Sequence, residues 1–219
     1  MSAPSPLAGL GVTAPVLAAP MAGGPTTAAL VTAAARTGGM GFLAGGYKTA
    51  EQLAAQVAEV RGFAQVFGVN LFAPNPVAID PAEYRRYAEA LRPLAERYGV
   101  ELPAEPVEDD DDWEQKLDLL RRDPVPVVSF TFAIPPERVI ASLRSRGSVV
   151  AATVTNAAEA RAAAEAGVDM LAVQGWAAGG HSATLTPSRW ISAPVLRPPS
   201  TNPAEVVKKM IPIVVRSTP

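Results

Sequence analysis

Short apolar runs and helix-forming stretches alternate along this chain. Runs at 15–20, 40–44, 66–72, 127–132, 148–154 and 170–174 carry few polar residues, the pattern of strands covered on both faces. Helix-forming stretches lie between them: from Thr26 or Thr27 to 35, then 49–61, 136–145 and 157–166. In the second of these, Leu53, Val57 and Val60 share one face. Thr155 or Asn156 caps the last one, Glu159 completes a capping box with Asn156, and Gly167 stops it. Strand, helix and strand in succession make a βαβ crossover, so the sheet is parallel and the class is α/β. Residues 74–126 break the rhythm with a proline-rich loop, a helix near 81–98, an acidic loop and a helix near 113–122. They read as an insertion between a strand and its helix.

Each strand runs into a glycine or proline turn, and those turns gather at the carboxyl end of the sheet, where parallel α/β folds bind ligands. Two polar side chains interrupt the apolar runs: Asn70 between Val69 and Leu71, and Gln174 after Val173. A polar group inside a buried run needs a partner; the plainer reading of Gln174 is the end of a strand. Gly175, Gly179 and Gly180 then open the backbone, and His181, the sole histidine of the chain, follows at once. An imidazole exchanges a proton near neutral pH, which suits general-base chemistry or hydrogen bonding to an anion. An ordinary loop histidine is the alternative.

The segment VQGWAAGGH at 173–181 resembles the signature of nitronate monooxygenases, FMN-dependent (β/α)8-barrel enzymes. PVLAAPMAGG at 15–24, GGMGFLAGGY at 38–47, FGVNLF at 67–72 and VVSFTFAIPPE at 127–137 agree with that family in the same order. The resemblance runs from about residue 11 to about residue 185. It implies a TIM-type (β/α) barrel with FMN across the carboxyl ends of the strands. It also implies an oxidoreductase that oxidises alkyl nitronates with O2 to a carbonyl compound and nitrite. Carried over residue by residue, Met21, Ala22, Asn70, Gln174, Gly179 and Gly180 are expected at the cofactor. Asn70 and Gln174 are expected to hydrogen-bond the flavin, and His181 to be the catalytic group that meets the nitro oxygens. Two positions depart from the family pattern: Ala177 stands where Glu is usual, and Ala133 where Gly is usual.

Composition narrows the chemistry. The 219 residues have a formal charge of −2 and are 48% hydrophobic, so neither nucleic acid nor an anionic membrane surface is an expected partner. Without cysteine there is no disulfide and no thiolate chemistry, and with one histidine no multi-histidine metal site. No metal is expected. The first basic residue is Arg36, no basic n-region precedes it, and no apolar run approaches the ~20 residues that span a bilayer. The expected location is cytoplasmic. Gly39 to Ala44 formally fits a dinucleotide fingerprint, but it follows a helix and enters a strand, the reverse of what that motif needs. The acidic run 108–112 lacks the alternate spacing and the glycine of a calcium loop and reads as solvated, with its last Asp at the start of the next helix.

A barrel of this type has eight strands in ~250 residues. Beyond Leu185 the resemblance fades into a proline-rich tail, 186–219, without the two turns that hold the FMN phosphate in the family. The expectation is therefore a barrel portion over 1–185, C-terminally incomplete with about six of eight strands, and a divergent tail. FMN would be held poorly, and open sheet edges would join copies of the chain into a homo-oligomer. Two other readings stand beside this one: a flavin-dependent enoyl-carrier-protein reductase, and a non-catalytic truncated barrel fragment.

Overall fold

The computed structural model describes residues 6–74, 78–175, 177–183 and 185. The tail beyond 185 and Trp176 lie outside them. Among the described residues the order is α1 (Pro6–Gly9), β1 (Leu17–Ala18), α2 (Ala28–Arg36), β2 (Met40–Ala44), α3 (Ala50–Arg61), β3 (Gly68–Phe72), α4 (Pro81–Tyr98), α5 (Trp113–Arg122), β4 (Val127–Thr131), α6 (Glu137–Arg144), β5 (Val149–Val154), α7 (Ala157–Glu165) and β6 (Met170–Val173). All strands are parallel and lie in sequence order, β1 to β6. This is the curled wall of a TIM-type barrel, with six of its strands among the described residues.

Local chemistry sets the element ends. Thr27 caps α2 by accepting from Leu30 N–H (3.2 Å), and Thr49 closes a capping box with Gln52 at α3. Asn156 caps α7 through Ala158 and Glu159 N–H, both at 3.0 Å. The expected reciprocal bond from Glu159 to Asn156 is replaced. Its carboxylate accepts from Thr155 N and Oγ1 (2.6 and 2.8 Å) and, at its other oxygen, from Leu185 N (3.2 Å). β1 is shorter than the 15–20 run because Pro15 and Pro20 have no N–H to give the ladder.

The sheet separates two apolar clusters. On its helix side Leu43, Val69, Leu71, Val128, Phe130 and Val150 meet Leu53, Val57, Leu117, Leu120, Ile140 and Leu143. On the inner side Met40, Phe42, Val127, Ala151 and Met170 pack with Leu7 of α1 near the amino ends of the strands. Gly68 is part of that fit: a Cβ there would sit 2.3 Å from the Phe42 ring.

The chain divides into two compact units, 75–110 and the remainder. The smaller unit lies within the stretch 74–126 that the sequence sets apart. It holds α4, which is capped by Asp80 and ended by Gly99 and has no buried residue. α5 belongs to the larger unit, where Leu117 and Leu120 are fully buried between α3 and α6.

Candidate functional site

Register builds the site in layers on the inner face. Ala44, Asn70, Ser129, Ala151 and Met170 are neighbours across β2 to β6. One step nearer the carboxyl ends, Phe72 pairs with Thr131, and Thr153 with Ala172. The apolar floor thus gives way to a polar layer at the end where ligands bind.

Asn70 is the centre of that layer and is 4% exposed. Its Nδ2 donates toward Ser129 O (3.3 Å), Ser129 Oγ (2.9 Å) and Thr131 Oγ1 (3.0 Å). The Ser129 carbonyl can only accept, which fixes the amide with nitrogen toward β4 and Oδ1 turned away from it. Thr131 Oγ1 in turn lies 3.3 Å from Thr153 Oγ1, so one chain of polar contacts crosses β3, β4 and β5. Ser129, Thr131 and Thr153 were not singled out by sequence. Their signal was polar residues spaced by two in β4, one face of a strand.

Gln174 bonds within its own turn. Its Nε2 donates to His181 O (2.9 Å), and its Oε1 accepts from Ala183 N (2.7 Å). Both ends of the amide staple the glycine turn that carries His181. The imidazole is exposed, and its ring meets Phe132 edge-on with centroids 6.4 Å apart. Gly180 needs its glycine for φ +83°, whereas Gly179 has no positive φ, and a Cβ there would meet nothing within 4 Å. Among the described residues neither strain nor crowding accounts for Gly179.

Met21 and Ala22 lie in the turn after β1. Met21 N–H donates to Thr26 Oγ1 (2.8 Å), so that amide is engaged within its own turn. Ala22 is half-buried. Ala133 is buried without a positive φ, so its Cβ brings no backbone strain; the left-handed residue is Phe132 before it, at φ +78°. Ala177 is exposed.

A second network stands at the end of β2, and it corrects the reading of the acidic run as wholly solvated. Asp111 Oδ1 accepts from Tyr47 N (2.8 Å) and Asp112 Oδ2 from Ala50 N (3.2 Å). Asp111 Oδ2 is 2.8 Å from Nζ of Lys116, whose side chain is 1% exposed. Asp112 precedes α5 as expected but gives it no side-chain cap, because its carboxylate is turned to Ala50. Lys48 Nζ donates to Ala44 O (2.7 Å). Burial lowers the Lys48 pKa, Lys116 lowers it further, and Asp111 partly offsets both.

Residues 5–214 match the family model described as nitronate monooxygenase. A probable nitronate monooxygenase of Bacillus subtilis is 34% identical, over 83% of this chain and 52% of its own length. A probable nitronate monooxygenase of Staphylococcus saprophyticus is 31% identical, over 94% and 58%. The chain therefore spans about half the length of these curated relatives. Among solved structures, nitroalkane oxidase from Streptomyces ansochromogenes superposes with a TM-score of 0.76 at 42% identity, covering 83% of this chain and 52% of that one. FabK from Thermotoga maritima shares the fold, with a TM-score of 0.55 at 22% identity over 78% and 43%.

Proposed function

The chain belongs to the nitronate monooxygenase family, and from that premise we propose that its inner face is part of an FMN-dependent oxidoreductase site acting on alkyl nitronates. The carrying observation is the β6 turn: His181 is exposed at the carboxyl end of the sheet on a backbone stapled by Gln174. The residues present fit a flat heterocycle in three respects. Gly179 faces open space among the described residues. Asn70 keeps Oδ1 turned away from β4 as an acceptor for a ligand N–H. The polar layer around Asn70 lies directly on an apolar floor.

FMN held beside Asn70 and Gly179 would supply the redox chemistry, with O2 as the final electron acceptor. The chain's own groups orient and move protons. His181 takes the α-proton of a neutral nitroalkane, or donates a hydrogen bond to the oxygens of a preformed nitronate. Gln174 fixes the backbone of that histidine. Asn70 and Gly179 bound the cofactor. The organic product is a carbonyl compound, with nitrite released.

The test is oxygen uptake and nitrite release with ethyl nitronate, followed by chromatography of the flavin freed on denaturation. The reading predicts nitronate-dependent uptake without nicotinamide and released FMN. NADH oxidation with no response to nitronate would replace it with the enoyl-reductase reading, and released FAD would remove the cofactor assignment.

A further inference from the structure

Four rings stand in a row across the carboxyl ends of β2, β3, β4 and β6. Tyr47 meets Phe72 edge-on (centroids 5.5 Å, planes at 77°), Phe72 meets Phe132 tilted (4.8 Å, 60°), and Phe132 meets His181 edge-on (6.4 Å, 89°). We propose that Tyr47, Phe72 and Phe132 form the substrate-side wall beside His181, and that it selects nitronates bearing an aryl group. The inference rests on the reading of His181 as the group that faces the nitro oxygens.

Three observations show that the row is built and not incidental. Tyr47 and Phe132, the residues whose rings lie on either side of Phe72, both hold left-handed backbones, at φ 61° and 78°. Such conformations are unfavourable for bulky residues and cluster where a site over-determines them. Next, the turn before Tyr47 is shaped to the wall: a Cβ on Gly46 would lie 2.2 Å from the Phe72 ring. Finally, Tyr47 N is tied to Asp111, which is paired with the buried Lys116. A tyrosine that is 70% exposed is thus fixed through its backbone, leaving its ring accessible.

The rings turn by large angles from one to the next, so the row offers faces and edges in alternation. An aryl substituent conjugated to a nitronate is flat, and its positive edge or negative face can meet the opposite pole of a wall ring. It gains edge-to-face or offset contact that an alkyl chain of equal area does not, about two- to tenfold in affinity per ring pair. The nitronate end then lies at His181, at the end of the row.

The experiment measures binding of benzoate and propionate, flat and non-flat carboxylates that are not turned over, by ligand-observed NMR on the purified full chain. Kinetics then compare the nitronates of phenylnitromethane and nitroethane. The wall predicts about tenfold tighter binding of benzoate, the same direction in kcat/KM, and loss of most of that preference in Phe132→Leu. Tyr47→Ser, at an exposed position, should lower the preference about twofold without affecting folding. Equal affinity for the two carboxylates, or a preference unchanged in both variants, overturns the wall. Turnover of ethyl nitronate without aryl preference overturns the wall and leaves the proposed function. Benzoate binding that depends on Phe132, with no nitronate consumed, does the reverse.

Discussion

The turn after β2 and the turn after β6 look alike in sequence, each a glycine pair followed by a ring-bearing residue, Tyr47 in one and His181 in the other. Their anchoring differs. The β2 turn is held by two aspartates brought in from the start of α5, one of them on a buried lysine. Among the described residues the β6 turn is held by the Gln174 side chain, at His181 O and Ala183 N, and by the Glu159 carboxylate at Leu185 N. The first is a scaffold that presents an aromatic ring. The second presents an exposed titratable group at its tip.

The largest effect should come from the tip of the β6 turn. His181→Asn should lower the rate on neutral nitroalkanes by about 10²–10⁴-fold and on preformed nitronates far less, since a general base matters only where a proton is removed. Comparable losses on both substrates would show that His181 only binds the anion.

On the scaffold side, Lys116→Met leaves Asp111 without its buried cation. Removing one partner of a fully buried pair costs about 3–5 kcal/mol. Asp111 keeps 17% side-chain exposure and the Tyr47 amide, so the loss here should be nearer 2–3 kcal/mol. At this chain length that lowers Tm by about 5–10 °C. A variant as stable as the parent would mean that the pair only matches an apolar contact, and the β2 turn would lose its claim to be the stiffer one.

Gln174→Ala should separate the two turns more sharply. It deletes two partly exposed hydrogen bonds, each contributing about 0.5–1.5 kcal/mol. Their partial exposure puts the loss at the low end of that range, about 1 kcal/mol in total, so Tm should fall by only about 2–4 °C, less than in Lys116→Met. Amide exchange at Ala183 should rise about tenfold, and turnover of neutral nitroalkanes should fall by a similar factor. If global stability fell as far as in Lys116→Met, the β6 turn would be part of the core.

The contrast also marks what a sequence discloses. The strands were legible because a parallel sheet covered on both faces leaves continuous apolar runs, and β2 is buried at every position. Asn70 and Gln174 were legible as polar residues breaking such runs. Their partners were not, because Ser129 and Thr131 reach Asn70 only through strand register, across 59 and 61 residues. Gln174 bonds the backbone of its own turn at His181 O and Ala183 N, which no pattern of residue types encodes. Tyr47 gave no signal, since its anchor Asp111 lies 64 residues on, in a run whose composition reads as solvated. The left-handed backbone of Phe132 was hidden as well: the neighbouring Ala133, as the departure from the family's Gly, drew attention to the wrong residue.

The smallest effect concerns Lys48, in the scaffolded turn. Its pKa is lowered from the ordinary 10.5 chiefly by burial, with Lys116 adding to the shift and Asp111 opposing it. Between the lowered folded value and 10.5, the unfolded chain binds more protons at this position than the folded one. Stability therefore rises with pH through that window, and the unfavourable contribution of the charged amine is fully present below it. Solvent screening keeps the effect small at a partly exposed group. The measurement is the difference in Tm between the parent and Lys48→Met, followed from neutral pH up to about 10.5. The parent should gain on the variant as pH rises, because only the parent sheds a partly buried charge. Its bond to the Ala44 carbonyl sets the offset between the two curves but not their slope, since a neutral amine still donates. A flat difference would mean that Asp111 balances burial, and a falling one that attraction to Asp111 dominates. Either outcome would make the scaffolded turn electrostatically relaxed, and the comparison would then rest on the Asp111–Lys116 pair alone.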